Sequence, residues 1–184
     1  MVPSDEFDVV VICSGNRFRS PLAEAVLRRA ADGLPVRVRS FGTLNLAPGH
    51  ALPEAIELAP GYGLDLTSHR SRPLVGEDLS GADLVIGFEP IHVSTAVVNA
   101  GAQRAGTFLI TELAAALDES APTLEGGVVE RARAAVRQAD EKRKAAATSP
   151  QEIADPIGGP PAGYRKIADE VYGLTTRVAE RLFG

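Results

Sequence analysis

Asp8-Val9-Val10-Val11-Ile12-Cys13-Ser14-Gly15-Asn16-Arg17-Phe18-Arg19-Ser20-Pro21 is the stretch from which the architecture is read. Its apolar run is β-branched from Val9 to Ile12 and stops at Ser-Gly-Asn, which predicts a strand buried on both faces and ending in a loop. Pro21 suits the first turn of a helix, where a main-chain N–H has no partner in any case. Leu22, Val26 and Ala30 then recur at helical spacing as far as Ala31, with Arg28 and Arg29 facing the other way. The unit is strand, tight loop, helix.

The same alternation continues along the chain. Residues 35–41 alternate Val36 and Val38 with Arg37 and Arg39 and close on Gly42-Thr43, a half-exposed strand. A helix is expected over 52–59, ended by Gly61 and Gly63, then a strand over 83–88, a helix from Pro90 to about Asn99 and a strand over 106–110. Two longer helices follow. The first, over 127–147, is expected to bury Val128, Ala132, Ala135, Val136 and Ala139 and to leave its basic residues solvated. The second, over 163–183, carries the stripe Tyr164, Ile167, Val171, Leu174, Val178 and Leu182, and the Pro- and Gly-rich residues 148–163 form a loop between them. This pattern predicts an α/β fold, a parallel sheet covered on both faces.

Composition bounds the function. With 184 residues, 45% hydrophobic and 23% charged, the chain reads as one domain over 1–184 that holds a core without disulfides or metal. Nineteen basic against 24 acidic residues give a net charge of −5, the wrong sign for a surface that grips nucleic acid, so any anion site is local. The single cysteine, Cys13, excludes an intrachain disulfide and a Cys-rich zinc site and fits a reducing compartment. The acidic start, Met-Val-Pro-Ser-Asp-Glu, is unlike a signal peptide, and the apolar run at Val9 is too short to span a bilayer; a cytoplasmic protein is expected. His50, His69 and His92 are spaced as no metal-ligand set, and neither Gly-x4-Gly-Lys nor Gly-x-Gly-x-x-Gly occurs, so no metal, cofactor or nucleotide is expected.

The loop carries the chemistry. Ser14, Gly15, Asn16, Arg17 and Phe18 separate Cys13 from Arg19, and five residues can curl into a ring with inward N–H groups and a helix N-terminus at its edge. Such a nest suits a tetrahedral oxyanion such as phosphate. Arg19 can take two phosphate oxygens with its planar fork, and the same positive field favours the thiolate of Cys13, the form that attacks. Ser20 can donate to the sulfur, Gly15 allows close backbone approach, and Asn16 can bond loop carbonyls to brace the ring.

This loop resembles that of the low-molecular-weight protein tyrosine phosphatase family, Cys-x-Gly-Asn-x-x-Arg-Ser-Pro directly after the first strand, with every fixed position present. The resemblance continues through Ser40-Phe41-Gly42-Thr43, Gly63-Leu-Asp-Leu-Thr-Ser-His-Arg-Ser-Arg-Pro73, Asp83-Leu-Val-Ile86 and Asp155-Pro156. It implies a four-stranded parallel sheet flanked by helices, with the phosphate loop after the first strand. It also implies hydrolysis of phosphotyrosine proteins or small aryl phosphates through a phosphocysteine on Cys13, with Asp155 as general acid and then base.

Several positions depart from the family. Ile157 and Gly158 follow the Asp-Pro pair where relatives often carry aromatics, and Asn45 and Leu46 lie where another aromatic is common, so the mouth is expected to grip an aryl ring less firmly. Phe18 replaces a second cysteine found in many relatives, which leaves Cys13 without a neighbouring thiol against over-oxidation. Arg17 stands where relatives carry a small apolar or hydroxyl residue; it either disfavours a cationic substrate such as phosphoarginine or points to solvent. Two other functions fit the loop: an arsenate reductase drawing on external thiols, and a phosphotyrosine-binding module without turnover.

Overall fold

The computed structural model describes residues 5–121, 125–145 and 151–184. The first four residues of the acidic start, the last two of the helix expected to reach 147 and the beginning of the loop expected from Thr148 lie outside the described residues. The sheet is built on β1 (Phe7–Cys13), whose Val9, Val10, Val11 and Ile12 are fully buried; each such side chain stabilises the fold by about 1.5–3 kcal/mol. Around it stand β2 (Val36–Gly42), β3 (Leu84–Gly87) and β4 (Thr107–Leu109), in the order β2-β1-β3-β4, every pair parallel.

The helices are α1 (Arg19–Ala30), α2 (Pro53–Leu58), α3 (Pro90–Ala100), α4 (Ile110–Asp118), α5 (Val128–Ala145) and α6 (Pro161–Phe183), with a 3-10 turn over Ala59–Tyr62. Alternate residues of β1 serve the two faces. Val9, Val11 and Cys13 pack with side chains of α1, α4, α5 and α6, whereas Val10 and Ile12 pack with Phe41, Leu74, Leu79 and Ala96 of α3. The sheet is thus covered on both sides, as the alternation of elements predicts. Among the described residues no helix is long and apolar enough to cross a membrane.

Chain order sets where the site lies. The crossover after β1 leads through α1 to β2 on one side, and β3 then lies on the other side, so the strand order reverses at β1. Ligands of open α/β sheets bind beyond the carboxyl ends of the strands at such a point, which is where Cys13 ends β1. Register brings three strand ends together there: Cys13 pairs with Gly42, and Ile12 with Gly87.

Some elements differ from expectation. The run 106–110 is strand only through Leu109; Ile110 already begins α4, a helix the sequence pattern did not separate from the strand before it. On α5 Ala132, Val136 and Ala139 are buried as expected, but Val129 is buried in place of Val128, and Val128 and Ala135 are half-buried. Arg143, expected in solvent, lies with its guanidinium 4.1 Å from the Phe108 ring centroid and donates to Thr107 O at 2.6 Å. Its long side chain reaches the edge strand, where an apolar ring and a carbonyl that Arg104 Nη1 also reaches at 2.7 Å both accept a cation.

Candidate active site

Cys13 is the last residue of β1 and Arg19 the first of α1, so residues 14–18 bridge a strand end to a helix start. No side chain caps α1, which leaves the N–H groups of its first turn for another acceptor. The loop is pinned from its β2 side: Thr43 N–H donates to Cys13 O and Leu44 N–H to Ser14 O, both at 2.9 Å. Close approach there requires a glycine at the end of β2. A Cβ on Gly42 would come to 2.9 Å from Ser14 O and 3.1 Å from Asn16 N. Gly15, expected to allow close approach, would meet only Leu46 Cδ1, at 3.9 Å.

Asn16 is the brace of the loop. It is fully buried and holds φ at 53°, the left-handed region that asparagine tolerates better than most residues. Its Nδ2 donates to Ser20 Oγ at 2.9 Å and to Ser40 Oγ at 2.7 Å, and its Oδ1 accepts Arg72 N–H at 2.9 Å. The partners are therefore two hydroxyls and one amide, where loop carbonyls were expected. Ser40 in turn donates to Glu24, and His69 Nε2 lies 2.9 Å from Asn16 O. Burial holds the His69 pKa below the usual histidine value, so the ring is neutral and Nε2–H is the donor to that carbonyl. The segment His69-Arg70-Ser71-Arg72 thus supports the loop from behind.

The thiol lies at the floor of the site, 2% exposed, with Cys13 Sγ 3.0 Å from Ser20 Oγ. Since Ser20 Oγ already accepts from Asn16, its own proton is available for the sulfur. Arg19, 1% exposed, uses both ends of its fork. Nη1 donates to Glu89 Oε1 at 2.9 Å and to Ile153 O at 2.8 Å; Nη2 donates to Ser14 Oγ at 3.1 Å and to Asp155 Oδ2 at 2.6 Å. Its guanidinium also lies 5.8 Å from the Phe88 ring centroid. A buried cation is costly unless paired, and here two carboxylates from distant segments pair it.

Asp155 is half-buried and accepts Ile157 N–H through Oδ1 at 3.1 Å, the turn that an Asp-Pro pair initiates. Its carboxyl is thus tied through Arg19 to Ser14, the residue that follows Cys13. A thiol beside a hydroxyl donor, a guanidinium and a carboxyl group together can transfer and hydrolyse a tetrahedral phosphoryl group.

The remaining loop residues act differently. Phe18 turns inward, 2% exposed, and meets Tyr164 of α6 edge-on at 5.3 Å between centroids, so only its main chain borders the loop. Arg17 turns to the rim, where Nη2 donates to Ala47 O at 3.0 Å. Leu44, Leu46 and Ile157 are exposed aliphatic side chains on segments adjoining the loop and Asp155, in place of aromatics. Sequence reasoning missed Glu89 and set His92 aside as no metal ligand; the signal for both is Glu89-Pro-Ile-His92 opening a helix directly after a buried strand. Ser14 Oγ lies 3.1 Å from His92 Nε2. Among the described residues no group of three or more His, Cys, Asp or Glu side chains could hold a metal.

Comparison with known proteins agrees with this geometry. The family model described as "Low molecular weight phosphotyrosine protein phosphatase" matches residues 8–122, from the start of β1 past α4. The probable low molecular weight protein-tyrosine-phosphatase EpsP of Ralstonia solanacearum is 38% identical over 78 residues; the match covers 42% of this chain and 52% of that protein, so the chain spans about half the length of that relative. A protein-arginine-phosphatase of Bacillus subtilis is 28% identical over 177 residues, 95% of this chain and 96% of that one. Among solved structures, a mutant of YwlE from Bacillus subtilis superposes with a TM-score of 0.69 at 27% identity, covering 96% of this chain and 99% of that one. A low molecular weight protein tyrosine phosphatase from T. tengcongensis gives 0.68 at 28% identity, covering 96% and 100%. With the loop, the strand order and a matched segment of more than half its length in agreement, the chain belongs to the low molecular weight phosphotyrosine protein phosphatase family.

Proposed function

We propose that the protein is a phosphomonoester hydrolase acting on phosphotyrosine in proteins or on small aryl phosphates. The observation that carries this reading is the buried Arg19 guanidinium joining Ser14, next to the nucleophile, to the Asp155 carboxyl. The Cys13 thiolate attacks phosphorus as the ester P–O bond breaks, and the leaving phenolate takes a proton from Asp155. Asp155 then removes a proton from water, whose oxygen attacks phosphorus; the S–P bond breaks, returning the thiolate to the Ser20 hydroxyl and releasing inorganic phosphate. Arg19, through its Nε–H and the Nη2 proton that Asp155 gives up on becoming the protonated acid, and the N–H groups of Ser14 to Ser20 stabilise the equatorial oxygens in both steps. Phe18 contributes its main chain, and Asn16 and Gly15 shape the cradle.

The test is hydrolysis of an aryl phosphate in EDTA by the purified protein and its loss in Cys13→Ser; activity that survives this substitution overturns the reading. A second reading, phosphoarginine as substrate, is favoured by two observations. A protein-arginine-phosphatase aligns along nearly the whole chain, and a YwlE arginine phosphatase superposes on 96% of it with a TM-score of 0.69 at 27% identity. Phosphotyrosine, phosphoserine and phosphoarginine peptides assayed against wild type and Arg17→Ile decide between them: a preference for phosphoarginine in the wild type replaces the first reading by the second. A reducing compartment, the cytoplasm, is the proposed location because the lone thiol must stay unoxidised.

A further inference from the structure

A buried imidazole is costly unless its nitrogens are used, and His92, with no solvent exposure, uses both. Nδ1 accepts the main-chain N–H groups of Phe88 at 3.2 Å and Glu89 at 3.1 Å, so it carries no proton. The ring proton of the neutral form is then on Nε2, which lies 3.1 Å from Ser14 Oγ and donates to it. Burial, reinforced by the nearby Arg19 charge, lowers the His92 pKa to about 3, so this tautomer persists through mildly acidic pH. Room for the ring is made by Gly87 at the end of β3, where a Cβ would come to 2.9 Å from His92 Cβ and 3.3 Å from Val93 Cγ2.

The consequence falls on Ser14. Its hydroxyl oxygen accepts from His92 Nε2 and from Arg19 Nη2, the latter at 3.1 Å, which uses both lone pairs. Its one proton is then committed to donation, and no acceptor among the described residues takes it. We propose that His92 is a positioning residue for phosphoryl transfer: its Nε2–H makes Ser14 an obligate donor toward the phosphoryl group and seats the Arg19 fork through the same oxygen. This rests on the reading of the site as one that binds and cleaves phosphate esters, and it adds a residue that touches neither substrate nor nucleophile.

The two nitrogens have separable duties, and two substitutions separate them. His92→Asn places a carbonyl oxygen near Nδ1, keeping the acceptor for Phe88 and Glu89 and losing the donor to Ser14. His92→Gln places an amide nitrogen near Nε2, keeping the donor and losing the acceptor. Positioning predicts that His92→Gln melts lower yet keeps kcat within about threefold of wild type. His92→Asn should melt closer to wild type and lose kcat about tenfold with KM nearly unchanged, a barrier increase of about 1.4 kcal/mol. Ser14→Ala should lose as much, and the double variant His92→Asn with Ser14→Ala should lose no more.

A His92→Asn enzyme as fast as wild type, a His92→Gln enzyme that is the slower of the two, or a double variant whose losses multiply overturns the proposal. Calorimetric binding of orthovanadate, an oxyanion that needs no turnover, separates this failure from failure of the hydrolytic reading. Affinity falling only in His92→Asn and Ser14→Ala supports the positioning role even if wild type hydrolyses no aryl phosphate. Equal vanadate affinity in all variants of an active enzyme counts against the positioning role alone.

Discussion

Asn16→Ala tests the brace of the phosphate loop. The substitution removes three buried hydrogen bonds, to Ser20, Ser40 and Arg72 N–H, each with a net value of about 1 kcal/mol. It also forces alanine to hold φ near 53°, which costs a β-carbon-bearing residue about 1 kcal/mol more than asparagine. The sum is about 4 kcal/mol, a large part of the roughly 5–15 kcal/mol that holds a domain folded. Asn16→Gly loses the same bonds without the dihedral cost, so it should be the more stable of the two by about 1 kcal/mol. The assay is urea unfolding, with the midpoint shift converted through a shared slope. Cys13 is the only cysteine, so its alkylation rate by iodoacetamide in the folded protein reports the loop directly, and both variants should change it. A loss below about 1.5 kcal/mol in Asn16→Ala, or a glycine variant no better than alanine, would refute the reasoning.

Three further outcomes follow from the same contacts. Gly42→Ala drives a methyl to within 2.9 Å of Ser14 O, so it should cost about 1–3 kcal/mol and depress activity; wild-type turnover at wild-type stability argues against the strand end as a fixed support. Arg19→Lys replaces a fork that makes four hydrogen bonds with a point charge, and kcat/KM for an aryl phosphate should fall at least about a hundredfold, a loss below tenfold being inconsistent with fork-like binding. His92 is neutral when folded and takes a proton near pH 6.5 when unfolded, so the unfolded state binds more protons and stability falls as pH drops from 6.5 toward about 3. At pH 5 its share of that loss is about 2 kcal/mol, and urea midpoints against pH should have a shallower slope in His92→Gln than in wild type; equal slopes contradict a neutral buried ring.

The parts of the fold visible in the sequence are those where one local rule decides. The run Val9 to Ile12, β-branched throughout and stopped by Ser-Gly-Asn, reads as a buried strand, and the spacing of Cys13, Arg19 and Ser20 takes its meaning from that strand and from the helix that Pro21 opens. Helix α4 was hidden because β4 passes into it without a glycine or proline, and an apolar stretch such as Leu109-Ile110 satisfies either period. Glu89 and His92 were hidden for a different reason. Their importance arises from the pairing of Ile12 with Gly87, which sets the end of β3 beside the end of β1; the local pattern Glu89-Pro-Ile-His92 marks a helix start but not a contact across 78 residues. Asp155 shows the opposite limit: its role comes from the resemblance carried by Asp155-Pro156, and the fold places it 2.6 Å from Arg19, whereas Asp140 pairs with Lys144 and Arg143 on α5.

The most direct measurement of the central claim is the fate of the sulfur during turnover. Protein mixed with an aryl phosphate, quenched in acid within the first turnover and digested should yield one phosphorylated peptide, the one containing Cys13, and none from Cys13→Ser. Phosphate on another residue, or turnover by Cys13→Ser, would contradict a thiolate nucleophile held beside Ser20 at the end of β1.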